Sequence, residues 1–86
     1  MTDEEIISIT NEVFEESFEI EKNRLTPDAN VFNDLGLDSL DTVDLVVGLQ
    51  KKFGVTIRND ERVRTIRTLQ DIYDFIKAVK EAGERE

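Results

Sequence analysis

Ser39 is the residue of this sequence whose position most suggests chemistry, because its hydroxyl group lies between two carboxylates at the predicted start of a helix. Asp38 precedes it and is a good N-cap residue, and Asp41 follows Asp38 at the three-residue spacing of a capping box. A serine at such a place is either a covalent attachment point or an ordinary helix-capping residue, and serines are common there. These three residues alone leave the role of Ser39 open.

The composition excludes much of the chemistry that a serine can join. The 86-residue chain contains no cysteine and no histidine. Disulfides, thiolate metal sites, a cysteine nucleophile and every Ser-His-Asp arrangement are therefore ruled out. Paired carboxylates such as Asp41 and Asp44 can face each other on a helix, but no base or metal-ligand constellation accompanies them. We therefore predict a protein that is not an enzyme and has no catalytic residues.

The clustered aspartates Asp34, Asp38, Asp41 and Asp44 raise the question of calcium. An EF-hand needs oxygen ligands at alternate positions and a glycine at the sixth, whereas Gly36 occupies the third position counted from Asp34. The sequence therefore predicts no metal site. Loose binding of divalent cations by the crowded carboxylates remains open.

The net charge of −9 is unevenly distributed along the chain. Residues 1–50 carry 13 acidic and two basic side chains, whereas residues 51–86 carry seven acidic and nine basic ones. The acidic part should repel nucleic acid and anionic membranes and attract basic protein surfaces.

No apolar run approaches the roughly 20 residues needed to cross a bilayer. We expect a cytoplasmic monomer that binds no nucleic acid and does not span a membrane.

The elements that must position Ser39 are helices. Apolar residues recur at helical spacing in 3–19, in 39–53 and near the C-terminus, and 59–66 is a candidate for a shorter helix. A long connection, 20–38, separates the first two. The sequence thus predicts an all-α fold in one domain spanning 1–86, a small four-helix bundle with a long first loop and a short third helix.

The expected core combines the apolar faces of these helices with apolar residues of the long connection. Gly36 marks a tight backbone position in that connection, Gly54 suits the C-cap of the second helix, and Thr68 caps the last helix. The connection is pinned to the core by Leu25, Val31, Phe32, Leu35 and Leu37. The residues assigned to core packing are Ile6, Val13, Phe14, Phe32, Leu49, Phe53, Ile66, Leu69, Ile72 and Ile76.

The second helix carries more apolar surface than a small bundle usually buries, since its large apolar side chains sweep an arc of about 220° on the helical wheel. We expect Leu40, Val43 and Val47, which border an acidic strip, to stay exposed and to dock partner proteins. The acids would steer a basic partner, and the apolar residues would add contact area. A centrally packed helix with a wide buried face remains the alternative. The residues of this helix predicted to recognise partners are Asp38, Leu40, Asp41, Val43, Asp44 and Val47.

The segment Asp34–Val43, with the sequence Asp-Leu-Gly-Leu-Asp-Ser-Leu-Asp-Thr-Val, resembles the phosphopantetheine attachment site of acyl carrier proteins. The signature of that family is Asp-Ser-Leu opening a helix after a Leu-Gly loop. The resemblance covers most of the chain, and its further matching residues are Phe53, Ile57, Thr68, Leu69, Phe75 and Ile76. It implies that a phosphopantetheinyl transferase uses coenzyme A to place a 4′-phosphopantetheine arm on the Ser39 hydroxyl.

The resemblance also implies what the arm does. Acyl groups would be carried as thioesters on its terminal thiol and delivered to fatty-acid, polyketide or related biosynthetic enzymes. The partners would be the transferase and acyl-loading, elongating and transferring enzymes with basic docking surfaces. At Ser39 the arm's phosphodiester would meet backbone N–H groups and the positive end of the helix dipole, with Asp38 and Asp41 opposing it by like-charge repulsion.

Two basic stretches depart from the usual pattern of fatty-acid carriers. The second helix ends with Gln50-Lys51-Lys52, where such carriers tend to be acidic, and residues 58–67 include four arginines. Either these arginines pair with the acidic first half, or they mark a carrier dedicated to a specialised pathway. On the second hypothesis, Arg62 joins the recognition residues.

Other carriers and another class of protein stay open as alternatives. Peptidyl carriers typically have a Gly-Gly pair where this chain has Gly36-Leu37, which favours acyl or polyketide cargo. An aminoacyl or D-alanyl carrier is not excluded. The different class is an unmodified acidic helical adaptor that binds a basic protein partner. Replacing Ser39 with alanine would abolish the function of a carrier and spare that of an adaptor.

Overall fold

The computed structural model describes residues 2–57 and 65–84. They contain three α-helices, α1 (Asp3–Phe18), α2 (Ser39–Phe53) and α3 (Leu69–Glu84), and a 3₁₀ turn at Lys22–Arg24. In these two stretches of chain, the sole strand-like feature is an isolated antiparallel bridge between Asn30 and Thr68. The all-α class is therefore confirmed.

The fourth helix of the sequence prediction is not among these elements. It was expected at 59–66, and residues 58–64 lie outside the described part of the chain. Arg62 lies outside it as well. Residues 65 and 66 are not helical, so the described residues hold three helices and a 3₁₀ turn rather than a complete four-helix bundle.

Helix α1 begins with a capping box that the sequence analysis did not identify. Thr2 Oγ1 accepts a hydrogen bond from the Glu5 N–H at 3.2 Å, and Glu5 Oε1 accepts one from the Thr2 N–H at 3.0 Å. The bond from the Thr2 backbone lowers the pKa of the Glu5 carboxyl. The helix ends at Phe18, one residue earlier than predicted, because Glu19 adopts a left-handed conformation with φ 54°.

Helix α2 has the predicted bounds. Gly54 ends it in a left-handed conformation with φ 66°, and the Gly54 N–H donates to the Gln50 carbonyl at 2.9 Å. In mid-helix, Gly48 lies against α1, and a Cβ atom at this position would stand only 2.9 Å from Val13 Cγ1. The missing side chain at Gly48 therefore lets α1 and α2 approach each other closely.

Helix α1 packs against both α2 and α3, and the core lies among the three helices. Tyr73 on α3 adds a polar link, because its hydroxyl lies 2.7 Å from Asn11 Oδ1 on α1. Eight of the ten predicted core residues are buried: Ile6, Val13, Phe14, Leu49, Phe53, Leu69, Ile72 and Ile76. The other two, Phe32 and Ile66, are only partly buried, since they lie in irregular segments at the margin of the core.

The long connection between α1 and α2 is fixed to the start of α3. The Val31 N–H donates to the Arg67 carbonyl at 2.9 Å, and the Leu69 N–H donates to the Ala29 carbonyl at 3.1 Å. As predicted, the connection also buries apolar side chains, namely Leu25, Val31, Leu35 and Leu37. The segment that leads into Ser39 is therefore held by both hydrogen bonds and the core.

Candidate functional site

Ser39 is the first residue of α2, and its side chain is exposed to solvent. Its hydroxyl makes no hydrogen bond to any part of the chain that the structure describes. Its carbonyl oxygen accepts a hydrogen bond from Thr42 Oγ1 at 2.6 Å, in addition to its helical role. Ser39 therefore has a firmly held backbone and an unengaged hydroxyl, as a covalent attachment point requires.

The predicted capping box at the start of α2 is present. Asp38 Oδ1 accepts hydrogen bonds from the Leu40 N–H at 2.9 Å and the Asp41 N–H at 3.0 Å. In return, Asp41 Oδ2 accepts one from the Asp38 N–H at 3.1 Å. These bonds satisfy donors that a helix start would otherwise leave unpaired.

The same bonds change one expectation about the arm. An anion on Ser39 was expected to meet backbone N–H groups, but the N–H groups of Leu40 and Asp41 already bond to the Asp38 carboxylate. The fixed Asp38 and Asp41 carboxylates would repel a phosphodiester on Ser39. The N–H groups of Leu40 and Asp41 are therefore not available to such a group.

The loop before Ser39 is shaped by turns and buried leucines. Asn30 Oδ1 accepts hydrogen bonds from the Phe32 and Asn33 N–H groups, at 2.9 and 2.8 Å. Gly36 has φ 76°, a left-handed conformation that L side chains rarely adopt, as its position in the sequence suggested. The Leu37 N–H then donates to the Val31 carbonyl at 3.0 Å. This loop delivers the chain to Asp38 in an extended conformation, ready to cap α2.

An exposed apolar ridge runs along α2 from Ser39. Leu40 is 77%, Val43 62% and Val47 42% exposed, whereas a fully packed helix would hide residues of this size. The alternative of a wide buried face is therefore wrong, since the fully buried residues of α2 are Leu45, Leu49 and Phe53. Of the predicted recognition acids, Asp38 and Asp44 are exposed and Asp41 is partly buried. The arrangement offers apolar contact area beside negative charge.

The two lysines near the end of α2 have different surroundings. Lys52 Nζ lies 3.0 Å from Glu16 Oε2 and 3.9 Å from Glu12 Oε2, so it forms a bridge to α1. The hydrogen bond to Glu16 raises the pKa of Lys52. Lys51 is exposed and makes no ion pair with residues 2–57 or 65–84. It borders an open groove between α1 and α2, together with Asp44, Val47 and Gly48.

Metal ligation finds no support in the described stretches. They contain no group of three or more Asp or Glu side chains close enough together to hold a metal ion. Their helices are also too short or too polar to cross a membrane.

Sequence reasoning missed three contributors to this region. Thr42 bonds the Ser39 carbonyl, Gly48 permits the close approach of α1, and Lys52 pairs with α1 instead of facing solvent. Thr42 had a local signal, because a hydroxyl three residues after a helix start can reach that residue's carbonyl. The roles of Gly48 and Lys52 depend on where α1 lies, which the α2 sequence alone does not contain.

Comparison with known proteins adds a match over residues 11–76 to the family model described as "Phosphopantetheine attachment site". An acyl carrier protein of Syntrophobacter fumaroxidans is 48% identical over 63 residues, which are 73% of this chain and 76% of the relative. "Acyl carrier protein 2" of Ralstonia nicotianae is 37% identical over 92% of this chain and 96% of its own. An acyl carrier protein of Guillardia theta is 40% identical over 88% and 93%.

Proposed function

The chain belongs to the acyl carrier protein family, and we propose that Ser39 is the residue that holds its 4′-phosphopantetheine group. The protein carries acyl groups on this arm, which supplies a terminal thiol that holds them as thioesters. The observation that supports Ser39 as the attachment point is its exposed hydroxyl, at the start of α2 and without a hydrogen bond to the described residues. Ser39 also lies inside the matched range, 11–76.

The residues around Ser39 suit this role. The capping box of Asp38 and Asp41 fixes the start of α2. The backbone that carries the Ser39 hydroxyl therefore has one defined conformation. In the attachment step, the Ser39 oxygen bonds to the phosphorus of the phosphopantetheinyl group. The P–O bond within the pyrophosphate of coenzyme A would break, adenosine 3′,5′-bisphosphate would leave with the bonding electron pair, and the hydroxyl proton would pass to a base of the transferase or to solvent. The two carboxylates then keep the anionic arm from settling on the helix start.

The transferase and acyl-handling enzymes act on this carrier, and we propose that they dock on the exposed ridge of α2. Leu40, Val43 and Val47 would supply apolar contact, and the flanking Asp38, Asp41 and Asp44 would attract basic partner surfaces. Arg62 stays a predicted recognition residue outside the described chain. A specialised biosynthetic pathway, whether for fatty acids, polyketides or related products, is part of the same proposal.

Several wider features of the sequence prediction also stay proposals. They are a short helix within residues 59–64, a single domain over 1–86, a monomeric state, a cytoplasmic location and the lack of catalytic activity. The relatives are named as carriers, which supports the last of these. The alternative, an unmodified acidic adaptor, differs from a carrier in a way that an experiment can measure, because an adaptor needs no modification of Ser39.

A thiol assay tests the assignment, because the chain has no cysteine of its own. Wild type, Ser39→Ala and Ser8→Ala proteins are incubated with coenzyme A, magnesium and a broad-specificity phosphopantetheinyl transferase, and then freed of small molecules. Ser8 is an exposed serine on α1 and serves as the matched control. We expect one thiol per chain in the wild type and Ser8→Ala proteins and none in Ser39→Ala. A thiol on folded Ser39→Ala would refute the assignment.

A further inference from the structure

The charge of α2 changes sign along the face that carries the exposed ridge. Leu40, Val47 and Lys51 lie within about 40° of one another on the helical wheel, and Asp44 falls beside them. The face begins next to Asp38 and Asp41 and ends at Lys51. At 1.5 Å per residue, Lys51 stands about 10 Å beyond Asp44 along the helix axis.

Lys51 places a positive charge on this face that forms no ion pair with the residues the structure describes. Its neighbour Lys52 points towards α1, where Glu16 lies 3.0 Å from its ammonium group. That pair is compensated inside the molecule, whereas the exposed Lys51 has no described acidic partner. An uncompensated charge on a docking face acts on whatever approaches it.

The surface beside Lys51 is shaped as well as charged. Where α1 and α2 pack together, their residues border an open groove of about 460 Å³, with Val13, Glu16 and Ser17 on the α1 side. Gly48 leaves it without a side chain in mid-helix, and Val47 and Lys51 stand at its α2 edge. A partner that covers the ridge must therefore place atoms next to the Lys51 ammonium group.

We propose that Lys51 determines partner specificity, favouring acyl-handling enzymes that place a carboxylate opposite it and disfavouring enzymes whose docking surface is basic throughout. This inference rests on the proposed carrier function. The favoured partner has a bipolar surface, with a basic group for Asp44 and an acidic group roughly 10 Å away for Lys51. A uniformly basic surface is attracted by the aspartates of α2 but is repelled by the ammonium group of Lys51.

The test uses a bacterial β-ketoacyl synthase with a uniformly basic docking surface as the probe. Holo-proteins bearing the same acyl group are compared as substrates, in the wild type, Lys51→Glu, Lys51→Gln and Lys22→Glu forms. Lys22 is exposed in the 3₁₀ turn, so Lys22→Glu makes the same change of net charge away from the ridge. The arm and its cargo are unchanged, so the effect should appear in KM and not in kcat.

We expect Lys51→Glu to lower KM about three- to tenfold, with Lys51→Gln intermediate and Lys22→Glu close to wild type. The effect should shrink as the ionic strength rises from about 0.05 M to about 0.5 M. A KM that Lys51→Glu leaves unchanged or raises would overturn the inference, as would an equal gain from Lys22→Glu. Failure of every variant to react would also overturn it, because removal of the repelling charge should permit transfer. A wild type protein that accepts no arm would instead refute the carrier assignment.

Discussion

Asp38 and Asp41 each accept a hydrogen bond from the backbone N–H of the other, at 3.0 and 3.1 Å. Ser39 lies between the two residues in sequence, so its backbone is part of the short segment that the reciprocal bonds hold together. They also place two negative charges within one helical turn of it. The same pair therefore serves both the stability of α2 and the electrostatics of the arm.

Substitution of Asp38 should separate these two roles. Asp38→Ala removes the cap and should lower the free energy of unfolding by about 0.5–2 kcal/mol, whereas Asp38→Asn keeps an oxygen acceptor and should cost less. Both variants lose the charge, so both should weaken recognition by the transferase. Urea unfolding measures the stability, and the KM of arm transfer measures recognition. Equal losses of stability in the two variants would contradict the capping role.

Gly48→Ala should destabilise the protein although alanine favours helices. The new methyl group would lie 2.9 Å from Val13 Cγ1, and Val13 is a buried, stiff β-branched side chain. The overpacking should cost about 1–3 kcal/mol, which over most of that range outweighs the propensity gain of about 1 kcal/mol.

The matched background for this variant is Val13→Ala, which makes room for the methyl group. In that background, Gly48→Ala should stabilise the protein, so the sign of its effect should reverse. Thermal or urea unfolding of the four proteins gives the coupling directly. The same effect of Gly48→Ala in both backgrounds would show that Val13 does not limit the approach of the helices.

Asp71 should make the stability of the start of α3 depend on pH. Its carboxylate accepts hydrogen bonds from the Arg67 N–H at 3.0 Å and the Thr68 N–H at 3.1 Å, and these bonds lower its pKa. The stabilisation is therefore present above the usual value of 3.8 and is lost as the pH falls through the lower folded value. Asp71→Asn should be less stable than the wild type at pH ~7, with the difference fading below pH ~4.

Unfolding by urea across this pH range measures the effect. Asp74→Asn is the control, because Asp74 lies one turn further along α3 and bonds to the Gln70 side chain instead of the helix start. A difference between wild type and Asp71→Asn that persists undiminished into acid would contradict the assignment.

Tyr73 should titrate abnormally in the folded protein. Burial raises the pKa of its hydroxyl above the usual value of 10.0, and the hydroxyl bonds to Asn11 Oδ1 at 2.7 Å. The chain has one tyrosine and no tryptophan, so tyrosinate absorbance reports this residue alone. We expect the absorbance to appear at higher pH in the native protein than in urea, and stability to fall as pH rises through the folded pKa. Coincident titrations would contradict the burial of the hydroxyl.

Tyr73→Phe tests the bond itself. Loss of the hydroxyl should lower the free energy of unfolding by about 0.5–1.5 kcal/mol, towards the lower end because the partly buried Asn11 can bind water instead. Urea unfolding measures the change. A variant as stable as the wild type would show that the link between α1 and α3 contributes nothing.

The features of this structure that could be predicted depend on residues that lie close together in the sequence. The bounds of α2 followed from Asp38 at one end and Gly54 at the other, and both caps are present. The exposure of Leu40 followed from an apolar arc too wide for a small bundle to cover. A capping signal at Thr2 and Glu5 was equally local and could have been found.

The features that escaped prediction depend on contacts between elements distant in sequence. In the sequence, Lys52 is notable only as a basic residue where fatty-acid carriers tend to be acidic, and the position of Glu16 shows that it pairs within the molecule. The sequence indicates no role for Gly48, and only the path of α1 explains its lack of a side chain. Phe32 was assigned to the core from its hydrophobicity, but its turn leaves it partly exposed at the margin.

The most direct test of the central claim is the mass of the intact protein before and after treatment with coenzyme A, magnesium and a broad-specificity transferase, followed by peptide mapping. A control carrier is modified in parallel to show that the transferase is active. The account predicts a gain of one phosphopantetheine group per chain, located on the peptide that contains Ser39. No gain on folded protein, or a gain located at another residue, would contradict it.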